Sequence, residues 1–166
     1  WLVADAGEGE VEIWCRPQID AVTREETGLR INQKLTGGTM LLNGRGHWKT
    51  LPPVGSNDAA WVGRTEQDTV ACVYVDEGLA GRIDPETPLD ENRLGAVLNG
   101  LPTKPVDDLV RLMQWPWELV KANGDVIEGD WSRHRHSAAV LGRVDVGCRI
   151  LGEDAVFVGN GAVLDP

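Results

Sequence analysis

Met113-Gln-Trp-Pro-Trp-Glu-Leu-Val-Lys-Ala-Asn-Gly-Asp-Val-Ile-Glu-Gly-Asp-Trp131 divides the chain: strand-like and helix-like runs alternate before it, and a six-residue rhythm follows it. The stretch itself predicts a helix. Pro116 suits the first helical position, where its fixed φ helps and its missing N–H costs nothing. Trp117, Val120, Ile127 and Trp131 then share one side at the spacing of a buried apolar stripe. Asn123 falls in that stripe. A buried amide without partners costs about 1 to 3 kcal/mol. Asn123 is therefore expected to bond backbone, to end the helix together with Gly124, or to face a ligand or a metal.

After the stretch, Ala138, Val144, Ile150, Val156 and Ala162 form one column, and Val140, Val146, Gly152, Val158 and Leu164 form another. Two columns at period six match neither a helix nor a simple hairpin, but they suit the flat faces of a β-solenoid. Stacked repeats need at least about three neighbouring units to cover a core. A continuation beyond Pro166 is expected, and with Trp1 at the start the chain reads as a piece of a longer protein.

Before the stretch, the text is α/β. Trp1 to Ala4 and Val11 to Trp14 read as strands, and Pro17 to Thr27 as a helix with Ile19 and Val22 inward, stopped by Gly28. Gly38-Thr-Met-Leu-Leu-Asn43 is nearly all apolar, as suits a strand covered on both faces. It ends in Asn43-Gly44-Arg45-Gly46-His47, and strand ends are where open α/β sheets put their ligands. Ala59 to Val62 and Thr69 to Val75 predict an antiparallel pair joined by a loop. Pro85 and Pro88 mark an irregular connection, Leu89 to Leu98 a helix, Gly100 to Pro105 a turn-rich joint and Leu109 to Met113 a strand.

Composition excludes several function classes. At 166 residues the chain can bury a real core. No apolar run approaches the roughly 18 to 20 residues of a membrane span, and the start has no signal-peptide pattern, so a cytoplasmic protein without membrane partners is expected. A formal charge of -10 argues against nucleic acid, which is bound through clustered Lys and Arg. Small phosphorylated ligands remain open, since they need only a local basic group or backbone N–H donors. Cys15, Cys72 and Cys148 are odd in number and widely spaced, which predicts reduced structural thiols.

Three stretches together resemble the sugar nucleotidyltransferases that carry a left-handed β-helix after the catalytic domain, related to the bifunctional UDP-N-acetylglucosamine pyrophosphorylase/acetyltransferases. They are Thr39-Met-Leu-Leu-Asn-Gly-Arg45, Trp115-Pro-Trp-Glu-Leu-Val-Lys-Ala-Asn123, and the hexads Val144-Asp-Val-Gly-Cys-Arg, Ile150-Leu-Gly-Glu-Asp-Ala and Val156-Phe-Val-Gly-Asn-Gly161. The resemblance is best over 101–166 and weak over 1–37. It implies an α/β class with a partial, Rossmann-like nucleotidyltransferase mixed sheet over 1–132, and the first coils of a left-handed parallel β-helix over 133–166. It further implies transfer of a nucleotidyl group from a nucleoside triphosphate to a sugar 1-phosphate, with pyrophosphate released and Mg²⁺ assisting. A homotrimer through the β-helix is part of the same expectation. Relatives begin with a Gly-rich, Arg-containing loop that holds the triphosphate. This chain has none, so the fragment is not expected to be catalytic alone. A degenerate nucleotide-sugar-binding or structural domain, and acyl transfer by the β-helix, are the alternatives.

Such a site requires charge neutralisation on phosphates and in-line positioning. Relatives hold the metal with a strand-end Asp, where this chain has Asn43-Gly44-Arg45. Arg45 is the expected phosphate contact, since its fork pairs with phosphate oxygens, with a plain surface turn as the competing reading. Asn43, Gly44 and Trp48 are the expected substrate-binding residues, and Asn123 resembles the late residue that completes the metal site. Asp108 and Asp125 are further carboxylates for it, with a solvated surface role as the plainer reading. His134 and His136 alternate with Arg133 and Arg135. Without a third ligand they read as a linker.

Overall fold

The computed structural model describes residues 2–5, 11–55, 58–134 and 138–166, and divides the chain into two compact units, Trp1–Gln114 and Trp115–Pro166. The first unit opens with β1 (Leu2–Asp5) and β2 (Val11–Ile13), then a 3-10 turn leading into α1 (Asp20–Thr27), and β3 (Arg30–Ile31). β4 (Thr39–Leu42), β5 (Gly46–Trp48), β6 (Trp61–Arg64) and β7 (Val70–Val75) follow. α2 (Glu77–Ala80), α3 (Glu91–Leu98), β8 (Thr103–Pro105) and β9 (Val110–Leu112) complete it.

Seven strands form one mixed sheet in the order β3-β2-β1-β4-β7-β6-β8. Its centre is antiparallel, β1 to β4 to β7 to β6, and parallel pairs occupy its two edges, β2 with β3 and β6 with β8. The class is mixed α/β, as the sequence pattern predicts, and the β6/β7 pair is antiparallel as expected. Every residue of β4 is buried. Alternation along the strands then makes two cores. Leu41, Val62, Val73 and Val75 face Leu79 of α2 and Leu98 of α3. Met40, Leu42, Cys72, Tyr74 and Trp61 face the other way, toward Val110 and the half-buried Trp48 and Leu112 of the β5/β9 ribbon. Full burial of such an aliphatic or aromatic side chain contributes about 1.5 to 3 kcal/mol.

All three cysteines are free. Burial pushes the Cys72 thiol up to about 12, against smaller opposing effects of the Gly63 backbone and Lys104. It is an inert core residue.

Ile19 and Val22 do not turn inward: both are exposed, and α1 buries no residue. Asn32 holds α1 instead, its Nδ2 donating to Asp20 Oδ2 at 3.3 Å, and Gly28 ends the helix in a left-handed conformation. An amphipathic pattern this short did not suffice to define a buried face.

The second unit begins with α4 (Pro116–His134), which runs through Asn123-Gly124 without ending there. Of the four residues expected in a buried stripe, Trp117, Ile127 and, at 78% exposure, Val120 face solvent, with Asn123 exposed beside them, and Trp131 is half-buried. The buried side carries Ala122, with Val126 and Gly129 half-buried. Small residues there leave little apolar signal in the sequence. Beyond α4, β10 (Ala139–Val140) pairs in parallel with β12 (Phe157–Val158), joining residues eighteen apart. β11 (Arg143–Val144) pairs in parallel with β13 (Val163–Leu164), joining residues twenty apart. The strict six-residue columns therefore hold on one face and slip by two on the next, where Val144 meets Leu164 rather than Ala162. Val146, expected in a stacked column, is fully exposed at 102%. Gly142 sits at the corner between the faces: a Cβ there would meet the carbonyl oxygens of Ala162 and Gly159, so only glycine fits. The sequence expectation for the Arg133 to His136 run falls on side chains outside the described residues. No helix among the described residues is long and apolar enough to cross a membrane.

One carboxylate ties the sheet of the first unit to its helices. Asp76 Oδ1 accepts from Leu79 N at 2.8 Å as the cap of α2, and Oδ2 accepts from Ala60 N at 3.0 Å just before β6. These backbone donors, Leu79 first, hold its carboxyl below the usual range. A depressed folded pKa stabilises above the unfolded value, about 3.9, and that contribution is lost as pH falls through the folded value. Asp76→Ala is expected to lower stability by about 1 to 2 kcal/mol in urea unfolding at neutral pH. The gap between variant and parent should close once the medium is acid enough to protonate the native carboxylate.

Candidate functional site

β4 and β6 both run antiparallel to β7, so their ends and the start of β7 meet at one edge of the sheet. A cleft of about 530 Å³ opens there. Its sheet side is lined by Asn43 and Arg45 after β4, Arg64 at the end of β6, and Asp68, Thr69 and Val70 leading into β7. Its other side is α3, presenting Glu91, Leu94, Gly95 and Leu98, with Pro88 just before it. Those four positions, three and four residues apart, form one face of the helix.

Asn43 builds the sheet side. Its N–H donates to Ala71 O at 2.8 Å and its Nδ2 to Val70 O at 3.0 Å, which clamps the end of β4 to the start of β7. Its Oδ1 accepts from Arg45 N at 3.1 Å and its carbonyl from Gly46 N at 2.8 Å, an Asx-supported turn. Met113 N donates to Arg45 O at 2.9 Å. The Arg45 backbone is thus held from both sides, while its exposed guanidinium makes no ion pair among the described residues.

Arg64 reaches the same cleft through an irregularity in the ladder. The register of β6 against β7 shifts between Gly63 and Arg64, leaving Ala71 as an extra residue. The 65–68 turn is closed by Asp68 N donating to Thr65 O at 2.8 Å, with Asp68 left-handed at φ 59°. Arg64 Nη1 donates to Asp68 O at 2.7 Å and to its Oδ1 at 3.2 Å.

Of the residues expected to bind substrate, the cleft gathers Asn43 and Arg45. Gly44 is exposed in the turn and does not line it. Trp48 does not line the cleft: it is half-buried on β5 and packs against the cluster around Met40 and Trp61. Its indole lies so close under Gly46 that a Cβ on that glycine would stand 2.6 Å from Trp48 Nε1. Asn123 lies in the other compact unit, exposed on α4, and its expected burial is overturned. Asp108 and Asp125 are exposed carboxylates, in line with the plainer reading.

Arg64, Glu91 and Gly95 went unrecognised in the sequence. Arg64 did have a signal, because an antiparallel β6/β7 pair beside β4 brings the end of β6 to the edge where β4 ends. The α3 wall had none.

The Mg²⁺ implied by the resemblance takes near-octahedral oxygen ligands, usually one or two carboxylates with substrate phosphates and water. Among the described residues no group of three or more His, Cys, Asp or Glu side chains is placed to hold a metal ion. In the cleft, Asp68 is engaged by Arg64 and the Asn43 carboxamide oxygen by Arg45 N–H, leaving Glu91 opposite two guanidinium groups. That donor set does not fit a divalent cation. It fits an anion, since a guanidinium fork is matched to phosphate or carboxylate oxygens.

The chain matches no protein-family model, no curated protein and no solved structure.

Asn43 serves the site by positioning. Asn43→Ala removes one part-buried and one exposed side-chain hydrogen bond and is expected to lower stability by about 1 kcal/mol, read from the urea midpoint. Amide hydrogen exchange should quicken at Arg45, whose N–H loses its acceptor.

Proposed function

We propose that the first unit binds a phosphorylated ligand in the cleft between the β4/β6 edge and α3, as the ligand-binding portion of a protein resembling the sugar nucleotidyltransferases. The observation that carries this reading is the meeting of Arg45 and Arg64 in one cleft of about 530 Å³, large enough for a small phosphate ester. Arg45 donates to the phosphate oxygens as a charge-assisted pair, held in place by the Asn43 turn. Arg64 lies alongside, its guanidinium positioned by the 65–68 turn. Leu94 and Val70 add an apolar part to the cleft wall beside these groups.

The finer fold reading has its own support. Parallel pairing of residues eighteen apart is the spacing of three hexads, one turn of a left-handed β-helix, and it follows a helix and a run of hexads in this chain. On this reading nucleotidyl transfer is an activity of a longer protein, and the residues described bind and orient the phosphate-bearing partner. The cleft's donor set supports binding of a phosphorylated ligand rather than transfer by this chain alone, which favours a binding domain over acyl transfer.

Isothermal titration with glucose 1-phosphate tests the reading. Arg45→Ala is expected to weaken binding by about tenfold to a hundredfold, the loss of a hydrogen-bonded charge pair, with the thermal midpoint unchanged because the guanidinium is exposed. Equal affinity in parent and variant removes the cleft from consideration.

A further inference from the structure

Trp117, Val120, Gly124 and Ile127 follow one another along α4 at alternating intervals of three and four, and Trp131 continues the series. These are the a and d positions of a coiled-coil seam, a narrower stripe than a helix lying on a globular core presents. Trp117, Val120 and Ile127 are exposed, and Trp131 is half-buried at the end of the row. Ala122, Val126 and Gly129, the more buried residues, lie on the opposite side of the helix. Trp115 widens the exposed patch, its ring stacked on that of Trp117 with centroids 4.9 Å apart. A contiguous apolar strip on a surface helix marks an interaction face.

Gly124 belongs to the seam as well. Glycine inside a helix is destabilising relative to alanine, and a Cβ at 124 would meet nothing within 4 Å, so no neighbour in its own chain requires the gap. Set against a large seam residue of another helix, the gap becomes room for that residue.

The charges beside the seam select the partner and its direction, as flanking e and g residues do in paired helices. Lys121 and Glu128 both occupy e positions, both are exposed, and neither makes an ion pair among the described residues. In an antiparallel pair of identical helices, e residues face e residues. With Gly124 set against Ile127 and Val120 against Trp131, Lys121 of each copy stands beside Glu128 of the other, twice by symmetry. Sliding one helix by a heptad in either direction would oppose Lys121 to Lys121 or Glu128 to Glu128. A parallel pair would set Lys121 beside Pro116 and Glu128 beside Asn123, and would leave Gly124 against Gly124. One arrangement alone fills the gap and pairs the charges.

We propose that α4 docks a second copy of this chain, pairing antiparallel with the same helix through the seam that begins at Trp117. The apolar stripe is then buried between chains rather than within one. The pairing uses none of the cleft residues and stands or falls apart from the phosphate site.

Sedimentation equilibrium of the whole chain, from about 5 to 200 μM, tests it. The parent should form a dimer. Ile127→Glu puts a charge into the seam at an exposed position, and should give a monomer with unchanged circular dichroism. Lys121→Glu replaces two attractive contacts by two repulsive ones in every dimer and should weaken association by about tenfold. Adding Glu128→Lys to it restores opposite charges in the reversed sense, and association should return to within about twofold of the parent. Lys and Glu are equally good helix formers, so this charge swap carries the test even if Ile127→Glu disturbs α4. A monomeric parent, whatever else covers the face, overturns the proposal. So does a trimer, a dimer that Ile127→Glu leaves intact, or a double variant that associates no better than Lys121→Glu alone.

Discussion

The antiparallel pairing of β4 with β7 is the constraint on which the first unit depends. It sets Leu41 against Val73 in the register and Leu42 against Cys72, so neighbouring residues on each strand feed opposite cores. β4 and most of β7 are buried. Neither strand can slip by one residue without exchanging the two faces, and both faces are apolar yet shaped for different partners: helices α2 and α3 on one, the β5/β9 ribbon on the other. The same register fixes where β4 stops and β7 begins. The cleft therefore inherits its position from the core.

At that edge the sheet ends in polar joinery. Asn43 spends both polar atoms of its side chain on backbone groups, one across to β7 and one forward to Arg45. Arg64 emerges where the β6/β7 ladder shifts, and its guanidinium is caught by a turn whose fourth residue is left-handed. Two cations reach one space through two different devices, a side-chain-supported turn and a bulge, each anchored in a buried strand. Helix α3 closes the space with the same face that buries Leu98 in the core.

Strands with a strong apolar run were legible in sequence: the region of β4 and the β6/β7 pair lie where composition and alternation put them. The end of β4 was legible as a turn, and its Asn43 and Arg45 line the cleft. Short strands whose only reason is long-range pairing were not, because Thr103-Lys-Pro105 contains a proline and reads as a joint until β6 offers its edge. Helix faces misled where apolar residues occupy more than one side. In α4 the large side chains at 117, 120 and 127 are exposed, whereas Ala122 is buried, so size and hydropathy pointed to the wrong stripe. The hexad columns were legible as parallel stacking, yet Gly159-Asn-Gly-Ala162 makes a wider corner than Leu141-Gly142 and shifts one face by two. Trp48 sat beside the predicted edge in sequence but turned under Gly46 into the other core. Which way a side chain leaves a strand of three residues is decided by its partner strand, here β9.

The two units differ in how far along the chain they must search to form. In the first, Leu2 meets Leu42 and Val62 meets Thr103, so completing the sheet closes large loops around the more local β6/β7 pair. In the second, Ala139 meets Phe157 within a single short circuit. Folds dominated by distant pairings assemble slowly and leave apolar strands open while they do. As the chain emerges from synthesis the sheet is complete only once β8 has been made, because that edge strand is contributed last, and until then the β6 edge stays open.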